Sequence, residues 1–252
     1  MFVSIIGTGR LGRSLDVLLR TSEHTTCEVE LLGRQGTPRA PVVLLAVPDS
    51  AIREAVRRVP DGRIVLHCSG TTPVEVLRPH RPAGSFHPLM TFPGPDVGLP
   101  DLVGVPAAIA GDPSAREAGQ TIADALAMRA ITVPGDRRLY HAAAVIAGNF
   151  ATVLLAEAAR VLTEAGVSPD DAPGLLAPLA VQSLRNAGEK GPAAALTGPV
   201  ARGDTGTLDG HRDAMTAAGL ADLLPLYDLL TQRARALVDE KGVVVGGTGA
   251  KV

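Results

Sequence analysis

Three of the six histidines in this 252-residue chain sit where proton transfer could be arranged. An imidazole titrates near neutral pH and can give or take a proton. His67 ends the apolar run 64–67 and is followed by Cys68-Ser69-Gly70. His87 stands between Phe86 and Pro88. His141 opens a stretch that continues to Asn149 and Thr152. On a helix, positions 141, 145, 149 and 152 share a face, so His141, Asn149 and Thr152 make a polar stripe on a segment of Ala, Val and Leu. A stripe of that kind is either satisfied internally or turned toward a site. For His141 both a core hydrogen bond and proton donation stay open, and His67 reads equally as a structural histidine or a cleft residue. His87 is expected in the cleft, and Ser69 is a hydroxyl for a cofactor or substrate. Further on, Thr197-Gly198-Pro199, Arg202-Gly203-Asp204 and His211 form a polar stretch between helices. Arg202 there could hold a substrate carboxylate or pair with Asp204. Thr152, Thr197, Arg202 and His211 are therefore the candidate substrate contacts.

A second pattern points to a nucleotide. Gly7-Thr8-Gly9-Arg10-Leu11-Gly12 follows the run 2–6 and opens a helical pattern (Leu11, Leu15, Leu18, Leu19). Strand, glycine turn and helix in that order form the dinucleotide fingerprint. Gly7 permits the tight turn, Gly9 lets the backbone approach a pyrophosphate, and Gly12 lets helix and strand pack closely. The helix N-terminus supplies free N–H groups and a partial positive charge. NAD enzymes keep an acid at the end of the second strand, whereas an arginine accommodates the 2′-phosphate of NADP. Here that strand ends Leu32-Gly33-Arg34. Arg34 is thus the expected NADP clamp, with Arg10 or Arg39 as helpers. Val47 and Pro48 follow the third strand and should line the same crevice.

The elements that must position these groups alternate through the first half. Apolar runs at 2–6, 29–32, 42–47, 64–67 and 105–110 read as strands, Ser85-Phe86 leads into His87, and 11–20, 51–59 and 115–127 read as helices. Alternation of this kind predicts an α/β domain, with a parallel sheet covered by helices on both faces. After about Pro134 the pattern becomes helical: 138–165, 169–189, 208–218 and 220–241. The expected organisation is a Rossmann domain over 1–134, an all-α domain over 135–241 and a flexible tail over 242–252.

Composition narrows the function classes. Lys and Arg number 24 against 26 Asp and Glu, a formal charge of −2, which argues against nucleic acid as a partner. Aromatics are 2% of residues, with no Trp, so base-stacking platforms and aromatic cages are disfavoured. Two cysteines, Cys27 and Cys68, build no disulfide framework and no zinc cluster, so no metal is expected. No signal-peptide pattern or long uncharged apolar run is expected, which reads as a cytoplasmic chain with no membrane partner.

The glycine motif, the segments 67–70 and 84–92, Tyr140-His141-Ala142-Ala143-Ala144 through Asn149, and 195–204 with His211 together resemble the bacterial Rossmann-like proteins that carry a C-terminal DUF2520 domain. The resemblance runs from about residue 2 to 240. That family is similar in architecture to pyrroline-5-carboxylate reductases, ketopantoate reductases and the 6-phosphogluconate dehydrogenase-like group. The resemblance implies NAD(P)-dependent hydride transfer in a cleft and a helical domain that forms a homodimer. One departure matters: where hydroxyacid dehydrogenases carry a catalytic Lys shortly before an Asn, this chain has His141 and Asn149. The resulting expectation is an NADP-dependent reductase, NAD being the weaker fit, acting on a C=O or C=N of a small carboxylated substrate. His141 is the first choice for general acid, and His87 is the second or a substrate-orienting donor. Asn149 would hold the substrate heteroatom and Ser69 the nicotinamide or substrate. The alternatives are a non-catalytic NADP-binding regulator and an oxidative decarboxylase of prephenate-dehydrogenase type.

Overall fold

The computed structural model describes residues 1–33 and 35–246, with side chains up to Asp239. Arg34, the expected 2′-phosphate clamp, and 247–252, most of the expected tail, lie outside the described residues.

Seven strands form one sheet: β1 (Phe2–Ile6), β2 (Glu28–Leu32), β3 (Val42–Leu45), β4 (Ile64–His67), β5 (Ala83–Pro88), β6 (Pro106–Gly111) and β7 (Arg129–Ile131). Their order is β2-β1-β3-β4-β5-β6-β7. Neighbours run parallel except β5 and β6, which pair antiparallel with Phe86 opposite Ile109. The all-parallel expectation is corrected there. Between β5 and β6 lies a helix-free connection, and without a crossover helix the chain returns in the opposite direction. β7 was not foreseen, because its three residues begin with an arginine and carry no readable period.

The helices of this region are α1 (Arg10–Arg20), α2 (Ile52–Val56), α3 (Pro113–Ala125) and α4 (Arg137–Ala147). The unbroken apolar run of β3 is explained by burial on both faces. Val42 and Leu44 join Leu15 and Leu19 of α1 and Ile122 of α3 in one core cluster. Val43 and Leu45 join Ile52 and Val56 of α2 in the other.

Two compact units divide the chain, Met1–Asn149 and Phe150–Val252. The division falls after Asn149 and not near Pro134. The text turns helical at 134, yet α4 is bonded to the loop after β4 through Arg137 and to β5 through Tyr140. The single helix expected over 138–165 is two elements, α4 and α5 (Asn149–Glu164), separated by Gly148. By length and composition, Arg137–Glu164 is long and apolar enough to cross a membrane. This corrects the expectation that no such run exists, since 139–156 contains no Asp, Glu, Lys or Arg.

The second unit continues with α6 (Ala172–Lys190), the short α7 (Pro192–Ala195) and α8 (Gly198–Arg202), α9 (Thr205–Ala217) and α10 (Leu224–Gly246). Its described core is small: Met215, Leu220 and Leu223 pack with Val161, Leu224 and Tyr227. α10 extends through Gly246, so the valines at 243–245, expected in the tail, belong to this helix.

Candidate active site

The glycine turn is built by exclusion at two positions and by openness at a third. Gly7 has φ +127°, and a Cβ there would stand 2.2 Å from the Ala46 carbonyl oxygen. A Cβ on Gly12 would lie 1.9 Å from the Gly7 carbonyl oxygen. Both are glycines because α1 and β3 press against the turn. Gly9 differs: it caps α1 at φ −73°, and a Cβ there would meet nothing within 4 Å. The first turn of α1 holds no acidic residue, and its N-cap has no side-chain hydrogen bond. Free N–H groups and the positive end of the helix therefore face an open space, a fit for a pyrophosphate.

That space belongs to a cavity of ≈ 310 Å³, lined among others by Gly9, Arg10, Leu11, Val47, Ser69, Gly70, His87 and His141. Thr8 is exposed beside it, and Pro48 precedes the 3-10 turn Asp49–Ala51 without lining the cavity. Arg39, a proposed helper of the clamp, is engaged elsewhere. Its Nε donates to Glu30 at 2.6 Å, and the same carboxylate accepts from Ser4 Oγ at 2.7 Å.

A second cavity of ≈ 590 Å³ is lined by His87, Met90, Thr91, Tyr140, His141 and Asn149 together with apolar residues of α4. His87 and His141 are the two residues common to both cavities. Their rings stand 6.2 Å apart at 68°. Gly70 explains how they fit: a Cβ there would lie 2.6 Å from His141 Cδ2 and 2.7 Å from His87 Nε2. The loop after β4 must present a bare Cα for the two imidazoles to pack against it.

His87 Nδ1 is hydrogen-bonded to the Tyr140 hydroxyl at 2.8 Å, with the rings edge to face. Burial, with Arg137 and His141 adding to it and Asp49 opposing, pushes the His87 imidazole down to about 4. It is therefore neutral at pH 7 and unsuited to delivering a proton as an imidazolium. Burial also raises the Tyr140 hydroxyl above its ordinary value. His67 is fully buried; its Nδ1 accepts the Ser69 N–H at 3.2 Å, and its Nε2 has no partner among the described residues. Burial first, and then Arg137, push it to about 4. It is a neutral core histidine supporting the loop.

Ser69 was expected to bond nicotinamide or substrate. Its hydroxyl is instead placed against Asp49 at 2.8 Å and Thr72 Oγ1 at 2.9 Å, and it accepts the Thr72 N–H at 2.9 Å. It shapes the loop at the cavity wall. Arg137 Nη2 donates to the Ser69 carbonyl at 3.1 Å, tying α4 to that loop.

The second unit holds the remaining candidates; Thr207's hydrogen bonds, and then the nearby Arg202 and His211, hold the Asp204 carboxyl below its ordinary value. His211 Nδ1 is bonded to the Tyr227 hydroxyl at 2.8 Å. Arg202 ends α8, while Asp204 caps α9 by accepting the Thr207 N–H at 3.0 Å. Thr152 and Thr197 are exposed. The ≈ 370 Å³ cavity in this unit is lined by Val200, Ala201, Gly203, Thr205, Leu208, Arg235, Val238 and Asp239, and so by none of the four. Sequence reasoning missed Tyr140, Gly70 and Arg137. Tyr140 could have been found as one of two tyrosines in the chain, adjacent to a candidate histidine.

The sequence matches the domain of unknown function DUF2520 over residues 105–234 and the Rossmann-like domain over 26–93. No curated protein matches it. Among solved structures it is similar to BF3122 of Bacteroides fragilis, whose name carries a provisional assignment as an NADP oxidoreductase. The two are 22% identical, the match covers 93% of this chain and 98% of that one, and the TM-score is 0.75. TM1727 of Thermotoga maritima is 23% identical over 95% of this chain and 99% of its own, with a TM-score of 0.70. A 1-pyrroline-5-carboxylate reductase of Streptococcus pyogenes is 11% identical over 94% and 98%, with a TM-score of 0.59. At these identities the likeness is one of fold.

Proposed function

The chain belongs to the DUF2520 family, whose match spans 130 of its 252 residues (105–234), and on that premise we propose that it is an NADP-dependent oxidoreductase. Its substrate is a small carboxylated compound with a C=O or C=N bond. The observation that carries this reading is the sharing of His87 and His141 by two cavities, one of which ends on the glycine turn. The names of two similar structures, an NADP oxidoreductase and a pyrroline-5-carboxylate reductase, support the same class.

In this reading the α1 N-terminus and the open face of Gly9 hold the pyrophosphate. Arg34 follows the strand end where a 2′-phosphate would be read, which favours NADP over NAD. The bound nicotinamide supplies the hydride. His141 gives a proton to the substrate oxygen or nitrogen, so that the double bond gains one hydride at carbon and one proton at the heteroatom. His87, neutral and held by Tyr140, keeps the His141 ring in place and offers Nε2 to the substrate side. Asn149 lines the second cavity and binds the same heteroatom or the neighbouring carboxylate.

The test is NADPH oxidation across a panel of 2-oxo acids and cyclic imines, with reduced product identified by mass spectrometry. Turnover on one member, and preference for NADPH that falls in Arg34→Ala much more than activity with NADH, are expected. A protein that neither binds NADPH nor oxidises it would sink the reading.

A further inference from the structure

At the end of the central strands opposite the candidate active site lies a groove that the mechanism does not use. The candidate site gathers at the strand ends marked by His67 and His87. The groove forms where β4 and β5 begin, beside Asp61 and Arg81, and α2 closes its other side. Its volume is ≈ 580 Å³, and Arg53, Arg57, Arg78, His80 and Arg81 line it with Asp61 as the one acid. Arg81 also lies 3.5 Å from Asp112, and His80 Nε2 is bonded to the Arg63 carbonyl at 2.8 Å. Among the described residues, Arg53, Arg57 and Arg78 have no ion-pair partner, although the chain as a whole is slightly acidic. Exposed guanidinium groups that outnumber the carboxylates beside them offer donors to an anion placed between them. Beneath these exposed arginines, Val56, Val59 and Leu77 are buried in the core, so the groove presents mainly its cations to solvent.

We propose that this groove binds a phosphate group, free or carried by a small organic molecule, with Arg53, Arg57 and Arg78 as its donors. A single carboxylate is satisfied by one bidentate arginine, whereas a phosphate dianion offers acceptors to several. A neighbouring cavity of ≈ 360 Å³ shares Arg78, His80 and Arg81 and extends to Arg137.

Calorimetric titration of the full chain, saturated with NADP⁺, tests this with phenyl phosphate, inorganic phosphate and acetate as probes. Phenyl phosphate and inorganic phosphate should both bind saturably, tighter binding of one identifying the source of the group, and acetate should not bind. Arg57→Glu/Arg78→Glu should weaken phenyl phosphate by about tenfold or more with the melting temperature and NADP⁺ affinity unchanged. If that double variant does not fold, Arg78→Gln alone should weaken it by a smaller factor. Equal affinity in wild-type and variant protein would overturn the site, and so would acetate binding as tightly as phosphate. The proposal does not rest on the oxidoreductase reading: if NADP⁺ fails to bind, that reading fails, and the arginine variants still decide the groove.

Discussion

In the sheet unit Leu15, Leu19, Leu44, Leu66 and Ile122 have no exposed surface, whereas in the helical unit Leu175, Leu179 and Leu184 of α6 are 64%, 67% and 59% exposed. A sheet covered on both faces completes its own core. A helix with an apolar stripe completes its burial only when something is laid against it. The contrast extends to the polar residues. In the sheet unit two histidines, a tyrosine and a glycine loop close on one another around two cavities. In the helical unit the candidate residues, exposed threonines, a helix-ending arginine and a histidine bonded to Tyr227, do not line the cavity at Val200 and Leu208. The lesson is a division of labour. We propose that the sheet unit carries the chemistry and the helical unit a surface completed by a second copy of the chain.

The largest expected effect sets one histidine of each unit against the other. His141→Ala should lower turnover by about 10²–10⁴-fold, the usual cost of losing a general acid. His211→Ala should change it by no more than about threefold. Steady-state rates of both variants check this, and comparable losses in the two would erase the contrast.

Two glycine substitutions extend it to stability. Gly12→Ala would force a Cβ to within 1.9 Å of a backbone oxygen, and should cost at least about 2 kcal/mol. Gly174→Ala lies inside α6, where a Cβ meets nothing within 4 Å, and should be neutral or stabilise by up to about 1 kcal/mol. Chemical denaturation midpoints decide both.

Acid should act on the sheet unit first. His67 and His87 are held neutral, at about 4 against an ordinary 6.5. Their folded values lie below their unfolded ones, so the neutral forms favour the fold. That contribution is fully present above about pH 6.5 and is lost as pH falls from there toward 4. Melting temperatures measured at pH 7.5 and 5 should therefore drop, and His67→Gln should flatten the drop. An unchanged slope in that variant would contradict the assignment of His67 as a buried neutral group.

The mildest test concerns assembly. Leu179→Glu/Leu184→Glu should shift the chain toward monomer in light scattering while leaving NADPH affinity unchanged. Wild-type protein that is already monomeric at micromolar concentration would remove the proposed second copy.

Much of the sheet unit was legible in the sequence, because β1, β3 and β4 are mostly apolar runs and glycines punctuate the chain between elements. β4 appears at 64–67 as read, and the glycine turn stands between β1 and α1. What escaped were features set by partners distant in sequence. β6 runs antiparallel because its connection lacks a helix. β7 is too short to show a period. α4 joins the sheet unit through Arg137 and Tyr140, contacts spanning 68 and 53 residues. The same distance hid the role of Gly70, whose two imidazole neighbours come from β5 and α4. Ser69 looked available in the sequence, because its bond to Asp49 reaches back 20 residues to another loop. In the helical unit, spacing gave the helices but not the orientation of Thr197 or Arg202, which sit where short helices begin and end.

The central claim is that the glycine turn cradles a nicotinamide cofactor. It is tested most directly by titrating NADPH fluorescence with wild-type protein and with Gly9→Asp. An aspartate fits the backbone at φ −73° and meets no protein atom at its Cβ, so the melting temperature should hold. Its carboxylate would occupy the space assigned to the pyrophosphate. Saturable binding by wild-type protein, weakened about 100-fold or more in the variant, is the predicted result. Absence of binding by the wild type, or equal binding by the two proteins, would contradict it.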